Sequence, residues 1–396
     1  MQAINVLLFD VDGVLVEPRA YRLCIDRTLE VLLPQIGIAT PSDFLPSYDD
    51  VSYFEAQGIH DCWDITNIIY AQIVAATGDR PNRATDLVIP AYQPFVDRIR
   101  RANAELHPPS VAASLLAVRT DAPNDFAEQK KFTELVDCLH GSRSVYKSHV
   151  TRLFQNILLG SSIFESTYNL PSQYDGKPLL QAEDRVLLGT ATVEKLKDLH
   201  ARAPEHWKMA IYTARPSLKP EFAGGSSAGY SPEAEIARQS AGLNKFPLIG
   251  MGTMEFLAER TNDLAQNLVK PKTTQAFAAL LSALNGSVNM NLLEQALAMG
   301  VRDALPESTA LAQWKDTPLN IYVFEDTVSG IIPMDIVAKR LREHGYSINL
   351  TSLGIAKQKD KREALLKFCP AVYDDVNDAF DFVMSKTPQA AIEEAK

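Results

Sequence analysis

Ile4-Asn5-Val6-Leu7-Leu8-Phe9-Asp10-Val11-Asp12-Gly13-Val14-Leu15-Val16 is the stretch on which the reading of this chain turns. Residues 4 to 9 form a short continuous apolar run, the pattern of a strand buried on both faces of a parallel sheet. The run ends at Asp10, and two carboxylates then stand one residue apart, followed by a glycine that permits a tight turn. A pair of this kind divides labour naturally, one carboxylate attacking an electrophile while the other handles the proton. Two aspartates alone would read equally well as an acidic turn closing a strand, so the decision rests on what recurs further along the chain.

The same arrangement does recur. Met209-Ala210-Ile211-Tyr212 is a second apolar run, ending at Thr213 and preceded by a helix-like stretch from Thr192 to Arg202, which makes half of a βαβ unit. Ser231-Pro232-Glu233 reads as a cap, a first-turn proline and a first-turn acid opening a helix to about Leu243. Phe246 to Met251 reads as a third strand, Ile321 to Phe324 as a fourth ending in Glu325 and Asp326, and Asn349 to Ile355 as a fifth. A helix near Lys361 to Phe368 and a short strand near Ala371 to Tyr373 complete an alternating α/β pattern. The candidate reactive groups all fall at the carboxyl ends of strands, where open parallel sheets bind ligands.

The motif Phe9-Asp10-Val11-Asp12-Gly13-Val14-Leu15-Val16 resembles the first motif of the haloacid dehalogenase superfamily. Ile211-Tyr212-Thr213-Ala214-Arg215 is similar to its second motif, Val269-Lys270-Pro271-Lys272-Thr273 to its third, and Val323-Phe324-Glu325-Asp326-Thr327-Val328-Ser329-Gly330-Ile331 to its fourth. The Lys-Pro and Glu-Asp forms resemble the branch containing β-phosphoglucomutase and phosphoglycolate phosphatase. The resemblance implies a Rossmann-like parallel sheet core with a large, mainly helical cap domain inserted after the first strand. It implies that Asp10 is the nucleophile that carries an aspartyl-phosphate and Asp12 the acid and base. Thr213, with backbone N–H groups such as those of Val11 and Ala214, would hold phosphate oxygens, and Lys270 would offset the repulsion between nucleophile and phosphate. Mg2+ would be bound by Asp10, Asp326 and the Asp12 carbonyl, with Glu325 a direct or water-mediated ligand, since magnesium prefers hard oxygen donors. Lys270 rather than Lys272 is the expected lysine, because it directly precedes the proline; Lys272 is expected inside the following helix, facing elsewhere.

What the resemblance implies is a magnesium-dependent phosphatase acting on a small phosphorylated metabolite. A phosphomutase shares all of these core residues, and a catalytically silent binding protein would share the fold. Acid catalysis at Asp12 argues against a dehalogenase, whose leaving halide needs no proton.

At 396 residues the chain exceeds one average domain. The expected core is 1–16 with 186–396, and the expected helical cap is 17–185. Within the cap, Ile65 to Ala76, Gln93 to Ala104, Pro123 to Leu139 and Ser144 to Leu159 carry apolar residues at helical spacing. Gly224 to Gly229 reads as a surface loop, and about Asn285 to Pro318 as an insertion with a helix around Leu292 to Met299. The cap and this insertion both exceed what relatives of the family carry, so they bear on substrate choice more than on the chemistry.

Apolar residues at 46% and charged residues at 22% describe a chain that folds around a sizeable core. A formal charge of -10 without a long basic run excludes the broad positive surface that nucleic acid requires. Positive charge for a phosphate must therefore be local. Cys24, Cys62, Cys138 and Cys369 form no Cys-x-x-Cys pair, so neither zinc nor a redox motif is expected. No apolar stretch is long enough for a membrane span, and no basic leader precedes the first strand, so the expectation is a cytoplasmic protein. Oligomeric state has no signature here.

Overall fold

The computed structural model describes residues 2–38, 40–77, 91–102, 106–117, 126–224 and 229–386. The chain divides into two compact units, Met1–Pro18 with Asp184–Lys396, and Arg19–Glu183.

The first unit is built on a six-stranded sheet whose pairings are all parallel. Its strands are β1 (Ile4–Phe9), β4 (Trp207–Tyr212), β5 (Leu248–Ile249), β6 (Leu319–Glu325), β7 (Ile348–Ile355) and β8 (Ala371–Tyr373), while β2 (Val16–Glu17) and β3 (Arg185–Val186) form a separate antiparallel pair. The order is β5-β4-β1-β6-β7-β8. From β1 the chain goes first to one side and then to the other, which opens a crevice at the carboxyl ends of β1, β4 and β6.

Every residue of β1 is buried, and alternation sends its side chains into two separate cores. Ile4, Val6 and Leu8 join a cluster with the helix Thr273–Asn285, in which every residue from Thr274 to Leu284 is buried. Leu7 and Phe9 join the other cluster with Leu196 and Leu199 of helix Thr190–Arg202 and with Phe380 and Val383 of helix Val376–Lys386. Phe9 stacks on Phe324 of β6 with ring centroids 4.5 Å apart. A doubly covered strand thus calls for an apolar run, and its one polar member, Asn5, is buried with its Oδ1 accepting from Asn320 Nδ2 at 3.1 Å.

Several sequence boundaries shift. The third strand is only Leu248–Ile249, because helix Met251–Thr261 begins two residues later. Pro232 rather than Ser231 caps helix Glu233–Ser240; the Ser231 hydroxyl donates to Glu233 instead, at 2.8 Å. The helix expected near Lys361 to Phe368 runs from Lys359 to Leu365. The 285–318 insertion carries helix Met290–Arg302, which places Leu292, Leu293, Ala296, Leu297 and Met299 in the same core as β1. Arg340 holds its far end, donating to the carbonyls of Met299 at 2.5 Å and Ala304 at 2.8 Å. Residues 225–228 of the expected Gly224 to Gly229 loop lie outside the described residues, as do 103–104 and 123–125 at the ends of two expected helices.

The second unit is helical, with Arg19–Leu32, Cys62–Thr77 and His149–Leu159 packed together. Helix His149–Leu159 begins later than the periodicity of Ser144 to Leu159 predicts, because Ser148 caps it by accepting from the Thr151 N–H. The buried Asp64 carboxylate is paired here, meeting His107 Nε2 at 3.1 Å, Ser142 Oγ at 2.9 Å and Arg143 Nη2 at 3.1 Å. Among the described residues, no helix is long and apolar enough to cross a membrane.

Candidate active site

Parallel register sets the site. Phe9 of β1 is aligned with Phe324 of β6, and the Asp10 N–H donates to the Phe324 carbonyl at 3.0 Å, so Asp10 and Glu325 leave the sheet side by side. Carboxylate oxygens of Asp10, Glu325 and Asp326 all lie within 4.8 Å of one another, and all three residues are buried.

Two glycines make this crowding possible. Gly13 has φ +71°, and a Cβ there would fall 2.2 Å from Asp326 Oδ2. A Cβ at Gly330 would fall 1.9 Å from Glu325 Oε1. Gly330 lies in helix Val328–Glu343, where alanine would ordinarily gain about 1 kcal/mol over glycine. Gly330→Ala is nevertheless expected to lose about 1–3 kcal/mol, the usual cost of overpacking. Denaturant unfolding checks the sign, and a stabilised variant would show that Glu325 is not fixed against this turn.

Lys270 supplies the opposing charge. Its ammonium lies 3.0 Å from Asp10 Oδ1, 2.5 Å from Glu325 Oε1 and 4.3 Å from the centroid of the Tyr212 ring. Burial by itself pulls this ammonium's pKa down, yet Asp10 and Glu325 outweigh it and hold the pKa above the ordinary lysine value. Gln275 fixes the loop: its Oε1 accepts from the Lys270 N–H at 3.0 Å, and its Nε2 donates to the carbonyls of Thr213 at 2.8 Å and Ile249 at 3.2 Å. Lys272 is exposed, and it caps helix Thr273–Asn285 in extended backbone. The expectation that Lys272 lies inside the helix is therefore corrected; the helix starts one residue later, and Lys272 points to solvent for that reason.

Thr213 follows β4 and is buried, with its Oγ1 accepting from the Arg215 N–H at 3.2 Å. Ala214 beside it is exposed. Val11 is buried, and its carbonyl accepts from the amides of Val14, Leu15 and Val16, which turns the chain back after Asp10. Asp12 does not join the carboxylate cluster. Its carboxylate faces Arg215, whose Nε donates to Oδ1 at 3.1 Å and whose Nη2 also bonds Oδ1.

The cluster suits a hard cation. Burial foremost, with the charge of Asp10 next, pushes Glu325 up to about 8 against the pull of Lys270. Burial also pushes Asp326 up to about 6, opposed by Lys361, whose ammonium bonds Asp326 Oδ2. Asp10 Oδ1 is buried, and no hydrogen-bond donor is aligned on it despite the nearby ammonium. A cluster of three crowded carboxylates, one with an unsatisfied oxygen, offers the all-oxygen ligation that a hard divalent ion takes.

Sequence reading missed Gln275, Arg215, Asp184 and Lys361. Arg215 stood in plain view two residues after Thr213; the other three occupy positions with no local signal.

No family model and no curated protein matches the chain. Solved structures do match. An X-ray structure from the Northeast Structural Genomics Consortium, target ZR25, is 15% identical with a TM-score of 0.60, covering 97% of this chain and 98% of that one. A hydrolase from Pseudomonas syringae is 12% identical, TM-score 0.31, covering 98% and 100%. The HAD-hydrolase YfnB from Bacillus subtilis, in a form bound to magnesium, is 10% identical, TM-score 0.31, covering 97% and 100%. Only the first of these likenesses is high enough to carry the fold. That likeness, together with the observed strand order, makes the chain an α/β protein built on a parallel sheet, with Asp10, Thr213 and Glu325 at the carboxyl ends of neighbouring strands.

Proposed function

We propose that the chain is a magnesium-dependent phosphoric monoester hydrolase acting on a small phosphorylated metabolite through an aspartyl-phosphate on Asp10. One observation carries the reading: Asp10 stands at the carboxyl end of β1 with Lys270 at 3.0 Å and Glu325 and Asp326 in the same cluster. A nucleophile, a neutralising ammonium and an oxygen-only cation site in one place are the parts that phosphoryl transfer needs.

Asp10 attacks phosphorus and forms an O–P bond as the bond to the ester oxygen breaks. The departing oxygen takes a proton from the Asp12 carboxyl. Water then attacks phosphorus, giving its proton to the Asp12 carboxylate, and the O–P bond to Asp10 breaks with its electron pair returning to the aspartate. Lys270 lowers the repulsion between the Asp10 carboxylate and the incoming anion. Asp10, Asp326 and Glu325 would hold magnesium, which when bound supplies charge neutralisation to the phosphoryl oxygens. With a net charge of -10 the chain repels anions at large, so attraction for phosphate must be local, which favours a small ligand over a polyanion.

Release of inorganic phosphate from p-nitrophenyl phosphate tests this. Activity is expected with magnesium, absent with chelator and restored on adding magnesium back. Calcium is expected to inhibit, since its larger and looser shell misplaces the reacting groups. Full activity in a metal-free sample would overturn the metal-dependent reading.

A further inference from the structure

We propose that Arg215, anchored from behind by Asp184, is a positioning residue that orients the Asp12 carboxylate for proton transfer, leaving Asp12 Oδ2 as the oxygen that carries the proton. The inference rests on the reading of Asp12 as acid and base.

The Arg215 side chain has no solvent exposure, and Asp184 is only 7% exposed, whereas Asp12 is 35% exposed. A guanidinium taken out of water needs close counter-charge. Arg215 has two carboxylates: Nη2 donates to Asp184 Oδ2 at 3.0 Å, and the Nε and Nη2 groups both face Asp12. The backbone of Arg215 is held as well, by Thr213 Oγ1 on its N–H and by the Met251 N–H on its carbonyl at 3.1 Å. Lys270 and Lys361 are committed to Asp10, Glu325 and Asp326.

The contacts to Asp12 are unequal. Both guanidinium donors reach Oδ1, while Oδ2 has only Nε at 3.4 Å. One oxygen is thereby fixed, and the other remains available on a residue that solvent reaches. Asp184 keeps the guanidinium in place through its own short contact, so the orientation of Asp12 survives when its proton comes and goes. Through these bonds Arg215 acts on Asp12.

Leaving-group dependence separates this role from a structural one. p-Nitrophenolate departs without a proton, whereas an alkoxide requires one, so loss of proton delivery slows alkyl phosphates selectively. With magnesium saturating, Arg215→Met is expected to lower kcat/KM for an alkyl monophosphate by roughly 100-fold and for p-nitrophenyl phosphate by no more than about 5-fold, the span general acid catalysis covers. Asp184→Asn should show the same selectivity at smaller amplitude, and Arg215→Lys should recover part of the loss, since an ammonium replaces the charge without the two-sided fork. Should Arg215→Met fail to fold, Asp184→Asn and Arg215→Lys carry the test. Asp12→Asn is the benchmark. If it is selective for the alkyl ester while the folded Arg215 and Asp184 variants slow both esters equally, the positioning role is overturned and the function stands. If Asp12→Asn itself slows both equally, the acid assignment fails, and this inference with it.

Discussion

Asp10→Asn is expected to abolish turnover while leaving the fold intact. An amide fills the volume of the carboxylate but cannot form the covalent bond to phosphorus, so the two-step route is closed at its first step. Asp10 is 6% exposed and shares its cluster with Glu325 and Asp326, so removing its charge also relieves two repulsions. Lys270 also contacts Glu325, at 2.5 Å, and that contact does not depend on the Asp10 charge. A change in stability of only about 1 kcal/mol is therefore expected, within the range of ordinary substitutions. The measurement is phosphate release beside a thermal unfolding curve. A folded variant keeping more than about a tenth of the wild-type rate, which is a barrier change below roughly 1.4 kcal/mol, would sink the assignment of nucleophile.

The second large effect separates two lysines two residues apart. Lys270→Met is expected to cost about 2–4 kcal/mol of transition-state stabilisation, the range for removing one preorganised electrostatic group. Lys270 contacts both Asp10 and Glu325 from a nearly buried position, with the Tyr212 ring against the ammonium. Methionine matches the length and the apolar stem but leaves the carboxylates to repel the incoming phosphate. Lys272 is exposed at a helix cap, without a side chain bond from the helix to lose. Lys272→Met should change the rate little. Both variants are assayed side by side with one substrate, and a crippled Lys272→Met beside a nearly normal Lys270→Met would reverse the reading.

Why the motifs were legible is visible in their geometry. Gly13 must lack a Cβ because Asp326 Oδ2 stands where it would be, and Gly330 must lack one because Glu325 does. The glycines of the first and fourth motifs are therefore consequences of the same carboxylate cluster, and a short linear pattern records a three-dimensional constraint. The run before Asp10, apolar but for Asn5, is equally direct, since a strand covered on both faces favours apolar residues on both sides. Helix ends were less legible. Ser231 has the composition of a cap, but its hydroxyl donates to the Glu233 carboxylate and Pro232 stands at the cap position. Strand β5 contracts to two residues because helix Met251–Thr261 starts immediately after Gly250.

By itself, the amino-acid order determined which residues end buried strands, and hence that Asp10, Thr213, Glu325 and Asp326 emerge at one edge of a parallel sheet. Local pattern suffices there, because strand burial and turn chemistry are decided within a few neighbouring residues. What only the tertiary structure decided is which charges meet. Arg215 reaches Asp12 and Asp184 across sequence separations of 203 and 31 residues, Lys361 reaches Asp326 across 35, and Gln275 ties the Lys270 loop to Thr213 across 62. Such pairings depend on strand order and register, which bring distant segments within hydrogen-bond reach, and a buried charge acquires its partner only when that packing is complete.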